Sequence, residues 1–149
     1  MSSDIQERRI RLMQAREAEA LKARFTAFEV FGTAQWSDLP DWVDPELALT
    51  RRTDSVPDAV LSESADDETV RRWMGSFLSA AGIGDRFYLL TGIEHFPWLD
   101  LAVADDRWLD NLVDVKGFGP TIVSHDRDVL VVFYEEEYEY QVFRRTSRE

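Results

Sequence analysis

The chain reads as an α+β protein: a long N-terminal helix, a second amphipathic helix, then a largely antiparallel five-stranded sheet with one inserted helix, in the order β-β-α-β-β-β. Three observations predict this. Residues 5–31 contain no Gly or Pro and are dominated by strong helix formers. Between Ser64 and Gly82 apolar residues recur at steps of three and four. After Gly84 the pattern changes to short runs of β-branched and aromatic residues broken by Gly, Pro and Asp. Helices followed by strands, rather than strict alternation, favour an antiparallel sheet with helices covering one face.

Taken in order, the first helix is expected over 5–31, with Gly32 as its stop. Leu21, Phe25 and Phe28 can pack on a core, whereas the first half offers Ile10, Met13 and alanines among many charges. Residues 1–20 are therefore expected to project, or to pair with a second copy as a homodimer. Residues 33–65 read as an irregular connection carrying Trp36, Pro40, Trp42, Pro45 and Pro57. Asp44-Pro45 suggests a short helical turn to Leu49, and the two tryptophans are expected to lie over the core. The second helix presents Val70, Trp73, Met74, Phe77, Leu78 and Ala81 on one face, capped by Ser64 or Asp66 and ended by Gly82.

Strands are expected at Arg86–Thr91 and Trp98–Val103, joined by a loop holding Gly92, Glu94, His95 and Pro97. Asp105 or Asp106 caps a third helix with Trp108, Leu109, Leu112 and Val113 on one face, and Gly117 ends it. Three strands follow at 121–125, 129–134 and 138–143, the first two forming a hairpin around Asp126-Arg127-Asp128. Val129 to Tyr134 is apolar on both faces and should be central, while Tyr138, Tyr140 and Val142 alternate with Glu139 and Gln141 as on a half-exposed strand.

The totals bound the function. A chain of 149 residues suffices for one domain with a sizeable core. The absence of cysteine excludes disulfides, thiolate metal sites and thiol nucleophiles. Residues 1–32 hold six Lys or Arg against five acids, and residues 33–143 hold eight against twenty-three, so most of the net charge of −12 lies in the body. Such a body repels phosphate backbones, which leaves Arg8, Arg9, Arg11 and Arg16 as the one stretch suited to nucleic acid. A solvated helix face is the plainer explanation of those arginines. No segment has the length and apolarity of a membrane span, no signal peptide opens the chain, and a cytoplasmic protein without cofactor is expected.

The candidate chemistry is sparse. His95 and His125, the two histidines, each neighbour an acid, Glu94 and Asp126, so a small hydrolase or metal-dependent site built from the four is one alternative. Asp106, Asp110 and Asp114 step along one helical stripe, with Asp100 and Asp105 nearby. Such a row suits a solvated face or a docking surface for Arg and Lys better than an ion, because carboxylates stepping along a helix rarely converge. No nucleophile elbow or phosphate-binding glycine loop is present. Glu135, Glu136, Glu137, Tyr138, Glu139 and Tyr140 follow directly on the apolar run 129–134. Four carboxylates and two phenols at a strand end suit the capture of a basic protein partner, against the simpler account of a charged tip that keeps an edge soluble. An adaptor that oligomerises through the first helix is a further alternative.

In its size, lack of cysteine, acidic body and element order, and in the segments Phe87-Tyr88-Leu89-Leu90-Thr91-Gly92, Phe96-Pro97-Trp98-Leu99-Asp100 and Val131 to Tyr140, the chain resembles the small bacterial immunity proteins of interbacterial toxin systems. The resemblance covers under a third of the chain. It implies a stoichiometric, non-enzymatic inhibitor that covers the active site of a basic toxin, often a nuclease.

Overall fold

A computed structural model describes residues 2–147. The first helix, α1, runs from Ser2 to Arg24. It is followed by β1 (Phe28–Ala34), a 3-10 turn at Trp36–Asp38, α2 (Val43–Thr50) and β2 (Ala59–Ser62). Then come α3 (Asp67–Ala80), β3 (Arg86–Leu90), β4 (Trp98–Val103), α4 (Trp108–Lys116), β5 (Thr121–Ser124), β6 (Val129–Glu135) and β7 (Glu139–Thr146). The seven strands form one antiparallel sheet in the order β1-β4-β3-β5-β6-β7-β2.

The mixed class, the long first helix and the antiparallel pairing agree with expectation, and the β-β-α-β-β-β run appears as β3-β4-α4-β5-β6-β7. The sheet has seven strands rather than five, because both edges come from segments assigned otherwise. The expected helix ends at Arg24, and its last residues form the edge strand β1. Within that strand Phe28 and Ala34 are buried while Glu29, Phe31 and Thr33 face water, a period-two pattern that Thr, Val and Phe favour. Gly32 is no helix stop: its φ of +138° sits at a bulge where the pairing with β4 shifts between Val30 and Gly32. The connection 33–65 is largely ordered, containing α2 and the opposite edge strand β2, which pairs with β7 from Ala59↔Val142 to Ser62↔Glu139.

Helices cover both faces of the sheet, not one. On the first face the end of α1, α3 and α4 enclose Phe25, Val70, Met74, Leu78 and Leu112 against Phe87, Leu99, Leu101, Val131 and Phe133. On the second, Leu39 and α2 (Val43, Leu47) lie on Tyr88, Trp98, Leu130, Val132 and Phe143. Trp42 packs into this layer, and Trp36 meets Trp98 edge-on at 5.1 Å, so both tryptophans lie over the core. β6 supplies alternate residues to both layers, as expected of its doubly apolar sequence, and sits between β5 and β7.

Capping follows the sequence at α3, where the Asp66 carboxylate accepts from the Thr69 N–H at 2.8 Å. At α4 the expected acid sits two residues before the cap: Asp105 accepts from the Arg107 N–H at 2.8 Å, and Arg107 is the N-cap. Gly117 ends that helix at φ +70°.

Candidate functional site

The pairing of β6 with β7 extends from Val129↔Thr146 to Glu135↔Tyr140, and the turn closes where the Glu136 N–H donates to the Glu139 carbonyl at 3.0 Å. A central strand buried on both faces therefore ends in a rigidly mounted acidic turn. Glu135, Glu136, Glu137 and Tyr138 are exposed, Tyr138 to 71%. Glu139 is half-buried and accepts from Gln141 Nε2 at 2.9 Å. Among the described residues, the ion pairs involve none of these four carboxylates.

Tyr140 is placed differently. Its ring leans edge-on against Phe118 at 5.5 Å, on the α3 and α4 face of the sheet. Burial, and then the negative charges of Glu135, Asp67 and Glu63, push its phenol above the usual range. Tyr140 braces the turn, whereas the Tyr138 ring is left exposed.

The turn forms one wall of an open cleft of about 560 Å³, with Glu136, Glu137, Tyr138 and Glu139 on one side and Thr50, Arg51, Arg52, Thr53 and Ser55 on the other. Tyr134 and Gln141 also line it. The walls are tied together where the Thr50 hydroxyl, which donates to the Leu47 carbonyl at 2.7 Å, lies 2.7 Å from the Tyr134 hydroxyl. Arg52 is engaged by Asp54 through two contacts of 3.1 Å, whereas Arg51 is exposed and enters no ion pair among the described residues. Three carboxylates thus face one unengaged guanidinium. The far wall was missed from sequence, although Arg51-Arg52 directly after a helix in so acidic a body was a visible signal.

The aspartate stripe is partly engaged within the fold. Arg71 of α3 reaches Asp110 at 3.7 Å and Asp114 at 3.3 Å, tying α3 to α4. Asp106 precedes α4 and is exposed. The Asp105 carboxyl is held below its usual range, chiefly through its bond from the Arg107 backbone N–H. Asp105, Asp110 and Asp114 border a smaller hollow of about 290 Å³ that also includes Arg107.

The two histidines are not brought together. His95 sits in the loop after β3, where its backbone N–H donates to Gln14 and its carbonyl accepts from Gln35. His125 follows β5, which pairs with β3 in the opposite sense, Leu89 facing Ile122 and Phe87 facing Ser124. The two imidazoles therefore lie at opposite ends of β3, separated by roughly 15 Å of strand. His125 stacks on Tyr88 at 5.9 Å. Among the described residues, no group of three or more His, Asp or Glu is arranged to hold a metal ion. Nor is any described helix long and apolar enough to cross a membrane.

The chain matches no known protein family, no curated protein and no solved structure.

Proposed function

We propose that this chain is a non-enzymatic protein-binding module, an inhibitor of the immunity class that neutralises a basic toxin by capturing its cationic residues at the β6–β7 turn. One observation carries this: Glu135, Glu136, Glu137 and Glu139 enter no ion pair among the described residues, and they surround an exposed tyrosine on the end of a strand buried on both faces. Carboxylates that no cation of the fold engages are open to pairing with those of a partner. A planar guanidinium entering the cleft can donate two parallel hydrogen bonds to a glutamate while stacking on the face of Tyr138.

A nuclease is the toxin class that suits such a surface best, since its active site is basic in order to hold phosphates and a row of carboxylates imitates them. The strong negative field of the body raises the rate of encounter, which an inhibitor needs in order to act before its toxin does.

The test is the association rate with a basic partner, the product of the neighbouring reading frame being the first candidate. Raising salt from about 50 to about 500 mM contracts the Debye length and is expected to slow capture steeply. The triple change Glu136→Lys, Glu137→Lys, Glu139→Lys is expected to slow it by roughly tenfold or more at low salt, because opposing charge is replaced by like charge. A partner bound equally well by the reversed variant and at high salt would refute the proposal.

A further inference from the structure

The half of α1 that precedes Gln14 has nothing packed on most of its surface. Ile5, Ile10, Leu12 and Met13 are 44–57% exposed on the same three turns that carry Arg8, Arg9 and Arg11. None of these arginines enters an ion pair among the described residues. Burial of α1 begins at Gln14, Ala15 and Ala18. Where Gln14 meets His95, the helix passes the end of the sheet, so the preceding turns extend about 18 Å beyond it.

The strand directions decide what lies at that end. β3 and β6 are each antiparallel to β5 and so run the same way, which brings the loop after β3 and the acidic turn after β6 out at one end of the sheet. Only β5 lies between the two strands, whose axes are about 10 Å apart. The cationic helix and the acidic cleft therefore lie at the same end of the molecule, the helix on the α3 and α4 face and the cleft on the α2 face.

We infer that two copies associate end to end about a two-fold axis, the projecting half of each α1 lying in the other's cleft, so that the dimer covers the cleft until a basic partner displaces the helix. Charge decides against the simpler pairing of α1 with α1. Residues 3–16 carry Arg8, Arg9, Arg11 and Arg16 against Asp4 and Glu7, so two such helices repel, whereas the cleft presents Glu136, Glu137 and Glu139. The one unengaged cation of the cleft, Arg51, is matched by Asp4 and Glu7 in the first turns of the helix. Exposed apolar surface for the Ile, Leu and Met side chains is given by Tyr138 of the cleft, 71% exposed, by Val56 next to the lining Ser55, 79% exposed, and by Val60, which pairs with the lining Gln141 and is 51% exposed. Because helix and cleft share one end, both contacts form together and the assembly closes as a dimer instead of a filament.

The inference rests on the cleft being a cation-binding site, and sedimentation of the full chain tests it. The wild-type chain is expected to dimerise, and the dimer to weaken as salt rises. Two variants, R8E/R9E/R11E and E136R/E137R/E139R, are each expected to raise the dimer dissociation constant tenfold or more. Mixed in equal amounts, they should form a heterodimer, since each reversed helix then meets a reversed cleft and each native helix a native one. Circular dichroism of each variant identifies any that has failed to fold. A wild-type chain that stays monomeric at hundreds of micromolar, or a helix variant that dimerises as well as wild type, overturns the inference. Fluorescence titration with a hexa-arginine peptide separates the two failures: a monomer that binds the peptide through the cleft glutamates removes only the dimer, and one that ignores it removes the cation site as well.

Discussion

At the scale of single residues, the turn between β5 and β6 shows how one carboxylate can organise a loop. The buried Ser124 hydroxyl lies 2.5 Å from an Asp126 oxygen and accepts from the Val129 N–H at 3.1 Å. The same Asp126 oxygen accepts from the Asp128 N–H at 3.0 Å. Arg127 is thereby held at φ +67°, a conformation that a side chain with a Cβ rarely adopts. The Ser124 hydroxyl, and then the Asp128 N–H, hold the Asp126 carboxyl below its usual range. A carboxyl depressed in the folded state contributes stability that is fully present above the ordinary carboxylate pKa of about 4, and that is lost as pH falls through the depressed value. Asp126→Asn is therefore expected to be less stable than wild type at pH 6 and to converge on it as the carboxyl is protonated in acid, as read by urea unfolding across that range. Parallel acid limbs would show that the carboxylate plays no such part. The Asp-Arg-Asp turn was legible in the sequence, since Asp favours such turns. The inward Ser124 was not, because nothing local distinguishes it from a surface serine.

At the scale of elements, the boundary between α1 and β1 is set by a side chain from elsewhere in the chain. Asn111 of α4 accepts from the Ala27 N–H and donates to the Arg24 carbonyl, both at 2.9 Å, so it satisfies the frayed end of the helix and the turn that follows. Residues 25–31 have no local stop signal, yet they leave the helix here and pair with β4. Asn111→Ala is expected to cost about 1–3 kcal/mol in denaturant unfolding, the range for backbone groups left without partners. Asn111→Asp should fall between, since it keeps the acceptor for Ala27 and loses the donor for Arg24. Amide exchange at Ala27 is expected to quicken in the alanine variant. Unchanged protection there would mean that the strand, and not Asn111, ends the helix. By contrast α3 carries its own instructions: Asp66 as cap, an apolar face at helical spacing, and Gly82 at φ +87° after its end.

At the scale of the whole molecule, one sheet is shared by two cores. Leu78 of α3 and Leu47 of α2 are each 1% exposed on opposite faces, joined through strands such as β6 that place alternate side chains in both. Leu47→Ala and Leu78→Ala are each expected to cost about 2–5 kcal/mol, the range for cavities left by a buried leucine. Both variants should unfold in a single transition, with near- and far-ultraviolet circular dichroism coincident. Separated transitions in the Leu47 variant would show that the α2 layer is an independent unit. The same two-sided arrangement positions the site. α2 brings Arg51 and Arg52 up to the acidic turn, and α1, crossing the other face, leaves its cationic turns at the same end of the sheet.

What the sequence determined by itself is whatever its local pattern encodes. The helical period of residues 67–80, the bounds of β4, the doubly apolar β6 and the acidic turn that ends it all depend on neighbours a few residues apart. Tertiary structure alone decided where α1 stops, which segments form the two edge strands, that both faces are covered, and that a dibasic loop faces the glutamates. Those outcomes depend on backbone groups finding partners far along the chain, as Ala27 and Arg24 find Asn111, and as Ala59 to Ser62 pair with β7. An edge strand needs only one neighbour and half a buried face, so its sequence is weakly constrained, and the neighbour that defines it exists only once the rest of the sheet has formed.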